Sequence, residues 1–155
     1  MIYPSSHCIA LIKQFEGLRT TAYKCPAGVW TIGYGHTEGV KKGDVVTQGV
    51  AERLLIRDLE IFAVNLNRAM LAGEVTVTQN QFDALASFAY NVGLNNLIKS
   101  TLWGYLQEGN DQAAADEFLK WNKATNSEGE KVVLKGLTLR REAERKLFLS
   151  GTGLN

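Results

Sequence analysis

Cysteine and histidine are scarce in this chain: two of each among 155 residues. Cys8 and Cys25 stand 17 positions apart, with no CxxC pair and no clustered histidine, so the usual metal-ligand spacings are excluded. His7 and His36 are too isolated to act as ligands, and His36 reads as a hydrogen-bonded structural residue. No metal and no other cofactor is expected. An excess of charge of either sign is lacking too. The net formal charge is +1, which gives no general case for a polyanionic partner. With no zinc knuckle or aromatic-basic platform either, no nucleic-acid partner is expected. No run of 18 apolar residues is present, so no transmembrane helix is expected. The opening MIYPSSHCIALIKQ has neither a basic stretch nor a full apolar stretch and does not read as a secretory signal. Internal repeats and low-complexity linkers are absent as well.

What remains is a chain with 45% hydrophobic residues, enough for one sizeable core with a small second lobe. Most of it reads as helix. Ser5 or Ser6 can cap a first helix with the apolar face Cys8, Ile9, Leu11, Ile12 and Phe15. Thr47 can cap a long helix to about Leu71, with Leu54, Leu55, Leu59, Phe62, Leu66 and Met70 at helical spacing. Thr78-Gln79-Asn80-Gln81 is a capping box opening a helix that stops at Gly93, with a core-like face of Phe82, Leu85, Ala86, Ala89 and Tyr90. Ser100 can cap a helix ending near Gly109, and Asp111 another through Trp121. Residues 122–135 are polar and read as a loop before a last helix over 136–148.

The stretch QFEGLRTTAYKCPAGVWTIGYGHT carries the chemistry. Glu16 follows Ile12 by four positions and Cys8 by eight, so the three share one helix side, and Gly17 then ends the helix. A carboxyl with apolar neighbours beneath it favours its protonated form, which suits a general acid. Pro26 forces Cys25 out of helix; Pro26-Ala27-Gly28 reads as a turn and Val29 to Tyr34 as a strand. Alternation sets Val29, Thr31 and Gly33 on one face, which predicts room beside the Thr31 hydroxyl for a ligand or water. Helix end, turn and strand can thus bring Glu16, Cys25 and Thr31 to one cleft.

The spacing E-x8-C-x5-T and the segment WTIGYGHT resemble the catalytic stretch of phage-type lysozymes, the glycoside hydrolase family 24 muramidases. QFDALASFAYNVG (81–93), STLWGYLQEGN (100–110), FLKWNKA (118–124) and GLTLRREAERKLF (136–148) are similar to that family's second lobe, in order. The resemblance implies an α+β, mostly helical, lysozyme-like fold. A small β-hairpin lobe and a larger helical lobe would be joined by a long helix, with the cleft between them, and residues 1–155 would form a single catalytic domain. By the same resemblance Glu16 protonates the leaving oxygen, Cys25 stands where the family usually has Asp and acts as base or electrostatic stabiliser, and Thr31 holds the attacking water. Asn91 and Arg140 are the candidates for gripping sugar. The implied substrate is the glycan strand of peptidoglycan. The enzyme would be a monomer held in the host cytoplasm until a holin gives it access to the wall.

Loss of the second carboxylate leaves two other readings open: a lytic transglycosylase working with one carboxyl, and a non-catalytic wall-binding domain. Charge is unevenly placed. Residues 1–119 hold 9 Lys/Arg against 12 Asp/Glu and residues 120–155 hold 8 against 4, so the C-terminal part carries +4 and could attract an anionic wall. Cys8 lies about 12 Å along the helix from Glu16 at roughly 1.5 Å per residue. With Cys25 expected near Glu16, a Cys8–Cys25 disulfide is out of reach and two free thiols are expected.

Overall fold

The computed structural model describes residues 1–151. Helix α1 (Ser6–Glu16) begins at Ser5, whose hydroxyl oxygen accepts from the His7 N–H, and ends at Gly17. Strands β1 (Arg19–Lys24) and β2 (Trp30–Gly33) follow, then helices α2 (Gln48–Gly73), α3 (Gln79–Val92), α4 (Leu94–Lys99), α5 (Thr101–Gln107) and α6 (Asp111–Glu117). A 3-10 turn (Phe118–Lys120), strands β3 (Lys123–Thr125) and β4 (Lys131–Val133), and helix α7 (Lys135–Leu149) complete the chain.

The small lobe is the antiparallel β1–β2 hairpin, with Tyr23 opposite Thr31 and an irregularity between Arg19 and Tyr23. Residues 44–46 run alongside β1: the Ala22 N–H donates to the Asp44 carbonyl and the Val46 N–H to the Thr20 carbonyl. After β2 the chain doubles back, and Ile32 and His36 exchange two backbone hydrogen bonds of 2.9 Å. Gly33 and Gly35 make that turn at φ +66° and +95°, angles that a side chain would resist. The space expected beside Gly33 is not open to a ligand. A Cβ there would stand 3.2 Å from the Ala51 Cβ, so the missing side chain instead lets α2 pack against the hairpin.

Helix α2 leaves the hairpin and runs into the helical lobe, burying Ala51, Leu55, Leu59, Ala63, Leu66 and Met70 along one side. That lobe is built around α3. Every residue from Gln81 to Ala89 is buried, so α3 is covered on all sides and its polar residues need partners inside the protein. Gln81 completes the capping box with Thr78. Asp83 accepts from the Ser5 N–H at 2.9 Å, from the Ser5 hydroxyl and from Gln79 at 3.0 Å, which ties the N-terminal segment to the core. Ser87 donates to Glu144 of α7 at 2.6 Å. Around these, Phe88 packs edge-on against Phe118 and Trp121, and Phe118 meets Phe148. Each fully buried aromatic or aliphatic side chain of this kind contributes roughly 1.5–3 kcal/mol.

Three expectations need correction. Residues 122–135 are not simply a loop: Lys123–Thr125 and Lys131–Val133 pair as a second hairpin, closed by Asn126, whose side chain accepts from the Glu128 and Glu130 N–H groups. The helix expected through Trp121 ends at Glu117, and its cap is Asn110 rather than Asp111. A short helix, α4, fills the gap after Gly93. Among the described residues no helix is long and apolar enough to cross a membrane.

Candidate active site

Glu16 occupies the last turn of α1, and the buried Cys8 and Ile12 on its side of the helix fix that end against the core. Its carboxylate leans on Gly35: a Cβ at that position would sit 3.3 Å from Glu16 Oε1 and 3.3 Å from the Tyr90 hydroxyl. Gly35 therefore makes the room in which Glu16 and Tyr90 meet. The Tyr90 hydroxyl donates to the Tyr34 carbonyl at 2.9 Å. Burial, together with the charges of Asp58 and Glu16, pushes its phenol well above the ordinary value, so it stays protonated as a donor.

The setting of Glu16 is more polar than its sequence neighbours suggest. Arg140 Nη1 donates to Glu16 Oε2 at 2.6 Å, and Arg140 itself is 3% exposed. The other guanidinium nitrogens are also taken: Nη2 donates to the Ser87 carbonyl at 2.9 Å and Nε to Glu144 Oε2 at 3.2 Å. Arg140 thus stands behind Glu16 as a brace, with little surface left for a sugar. Asn91 is exposed, and its side-chain oxygen accepts from Arg141 Nη2 at 2.8 Å, which leaves its amide donors free.

Glu16 and Asn91 line one cavity of about 480 Å³ together with Gly35, His36, Thr37, Glu38, Asp58, Ile61, Phe62 and Tyr90. It runs between the hairpin lobe and the helices. His36 is held at both ring nitrogens, by Asp58 at 2.7 Å and by the Glu38 carbonyl at 2.9 Å, which suits a structural brace in the wall.

Cys25 and Thr31 are brought to each other but are not part of that cavity's lining. They sit at the turn end of the β1–β2 hairpin, where the Cys25 N–H donates to the Val29 carbonyl at 3.0 Å. The Thr31 hydroxyl donates to the Val29 carbonyl at 3.0 Å and also lies within reach of the Cys25 sulfur. One hydroxyl proton serves both, and its rotation selects the acceptor. The Val29 N–H first, then the Ala27 N–H and the Thr31 hydroxyl, draw the Cys25 thiol below its ordinary value, against a smaller upward push from desolvation. Cys25 is half-buried and Thr31 is 4% exposed. Cys8 is fully buried, and burial pushes its thiol far up; both cysteines are free thiols.

Sequence reasoning missed Gly35, Tyr90, Ser87 and Glu144 as parts of this region. Tyr90 reads as one more core residue, and Glu144 as one of four acidic residues in the basic C-terminal part. The four-residue spacing of Arg140 and Glu144 was the one available signal.

The phage lysozyme family model matches residues 13–144. An endolysin of Bacillus phage B103 is 51% identical over 150 residues, covering 95% of this chain and 54% of its own length. This chain therefore spans about half of that relative. An endolysin of Acyrthosiphon pisum secondary endosymbiont phage 1 is 44% identical, covering 92% of this chain and 94% of its own. The muramidase domain of SpmX from Asticaccaulis excentricus superposes with a TM-score of 0.89 at 38% identity, covering 97% of this chain and 100% of that domain. The expected mostly helical, lysozyme-like fold with a small β-hairpin lobe agrees with these matches. The chain belongs to the phage lysozyme family.

Proposed function

We propose that this chain is an endolysin muramidase that hydrolyses the β-1,4 bond between N-acetylmuramic acid and N-acetylglucosamine in peptidoglycan. The observation that carries the reading is Glu16, held by Arg140 at 2.6 Å and facing a cavity between the two lobes, in a chain of the phage lysozyme family. Glu16 gives its proton to the glycosidic oxygen as the sugar becomes oxocarbenium-like. A water held by Thr31 and assisted by Cys25 attacks the opposite face, with inversion. Asn91 supplies free amide donors to the sugar on the helical side of the cavity. Arg140 acts through Glu16, fixing the direction of its carboxyl. The enzyme works as a monomer on glycan strands, accumulates in the host cytoplasm and depends on a holin for access to the wall. Residues 1–155 make up one catalytic domain.

Glu16→Gln is nearly isosteric and should keep the fold while turnover drops at least about 1,000-fold, the scale of a lost general acid. Clearing of a peptidoglycan suspension, with circular dichroism as the folding control, measures this; a folded Gln variant that clears at a comparable rate sinks the assignment. The lone carboxyl keeps the lytic transglycosylase as a second reading. Mass spectrometry of the released muropeptides separates the two, since hydrolysis adds water and transglycosylation leaves an anhydro sugar.

A further inference from the structure

Helix α7 brings three buried charged side chains to one point. Arg140, Arg141 and Glu144 are all at most 3% exposed, although each carries a formal charge. Glu144 meets both arginines: its Oε2 accepts from Arg140 Nε at 3.2 Å and from the Ser87 hydroxyl at 2.6 Å, and its Oε1 lies 2.9 Å from Arg141 Nε. That last approach is close enough for strong attraction, yet it falls outside hydrogen-bond geometry. Each arginine then reaches a different residue of the cavity wall: Arg140 holds Glu16, and Arg141 holds Asn91 while its guanidinium lies 4.8 Å over the Phe88 ring.

Charge makes this arrangement more than packing. A buried guanidinium in contact with a carboxyl favours the charged form, which cannot donate a proton; Arg140 stands 2.6 Å from Glu16, and Arg141 adds a second positive charge behind Asn91. Glu144, in contact with both guanidiniums, offers the negative charge that they need. We propose that Glu144 is a positioning residue for the reaction: it takes up the charge of the Arg140–Arg141 pair, so that Glu16 is free to carry the proton it donates. The inference rests on the reading of Glu16 as the general acid.

The other titratable groups that line the cavity with Glu16 are Tyr90 from α3, Asp58 from α2, and His36 and Glu38 from the loop after the hairpin. All of them stay in place in the variants below. Burial, the largest influence, leaves the Glu144 carboxyl above its ordinary value, and Arg141, Arg140 and Ser87 pull it part of the way back. Burial lowers the Arg141 guanidinium to about 10, and the charge of Glu16 is among the influences that raise it, so Arg141 stays charged at neutral pH and feels Glu16.

The test is the pH profile of kcat/KM on peptidoglycan for Glu144→Gln, Arg141→Met and the double variant, with Glu16→Gln run in parallel. The acid must be protonated, so activity falls on the alkaline side as Glu16 ionises. Removing Glu144 leaves an uncompensated positive charge, and the alkaline limb should move to lower pH by about one unit. Removing Arg141 instead should move the limb upward. The double variant removes one charge of each sign and should return the limb to its original position, even if Asn91 is displaced and KM rises. A residue that served folding alone would lower the melting temperature and leave the limb where it was. If Glu144→Gln does not fold, Arg141→Met and the double variant carry the same comparison, since removing both partners of a buried pair is far better tolerated than removing one. An unmoved limb in the folded variants overturns the proposal. An active Glu16→Gln enzyme overturns it too, but by removing its premise, and that result is separate from the behaviour of the limb.

Discussion

Cys25 is where a single atom type governs the proposed reaction. A thiolate can take a proton from water and a thiol contributes little. The Val29 and Ala27 N–H groups and the Thr31 hydroxyl stabilise the thiolate. A carboxylate, which ordinarily ionises near pH 4, needs no such help to be charged at neutral pH. Cys25→Asp is therefore expected to be active and to keep its activity in mildly acidic buffer. Cys25→Ala should lose most of its turnover while remaining folded, because the residue is half-buried in a turn and not in the core. Turnover in Cys25→Ala equal to the parent would reduce Cys25 to a spacer and leave Thr31 alone to hold the water.

Helix α3 carries Ser87, Tyr90 and Asn91 toward the site, and the capping box at its start fixes its first turn. Thr78→Ala removes one side of that box: the Gln81 N–H loses its partner, now 3.2 Å from the Thr78 hydroxyl. The expected cost is about 1 kcal/mol, or roughly 3 °C in melting temperature for a chain of this size. The rate well below the transition should be unchanged; calorimetry alongside a lysis assay checks both, and a large loss of rate without loss of stability would contradict it. Such caps were legible because they are local, a Thr or Ser followed three residues later by its partner. The β3–β4 hairpin was not, because its strands are three residues long and largely exposed, too short for an apolar alternation to be read. Only the turn residues Asn126 and Gly129, with Thr125 before them and Val132-Val133 after, hinted at it. At the site, Glu16 and the Cys25 turn were legible from Gly17 and Pro26. The Arg140–Glu144 cluster was hidden because a charged helix normally faces water, and only tertiary packing against α3 turns it inward.

Across the whole molecule, that inward turn also changes what the charge distribution means. Residues 120–155 carry eight Lys/Arg, but Arg140 and Arg141 are buried, Arg145 pairs with Asp116 at 2.8 Å and Lys120 pairs with Glu117. Lys123, Lys131, Lys135 and Lys146 remain exposed, and Glu128, Glu130 and Glu142 are exposed in the same stretch. The basic excess read from the sequence is thus largely spent inside the protein and on its own surface. An enzyme steered to an anionic wall by a basic face would slow steeply as salt shortens the Debye length from about 14 Å at 0.05 M to about 6 Å at 0.3 M. Here the outward charges nearly balance, so KM on whole walls should rise less than about threefold over that range, with kcat unchanged. Initial lysis rates at several wall concentrations, in buffers differing only in sodium chloride, measure both quantities. A tenfold or greater rise in KM would mean that the four exposed lysines act together as an attracting surface, and replacing Lys123 and Lys131 by Gln should then abolish the salt dependence.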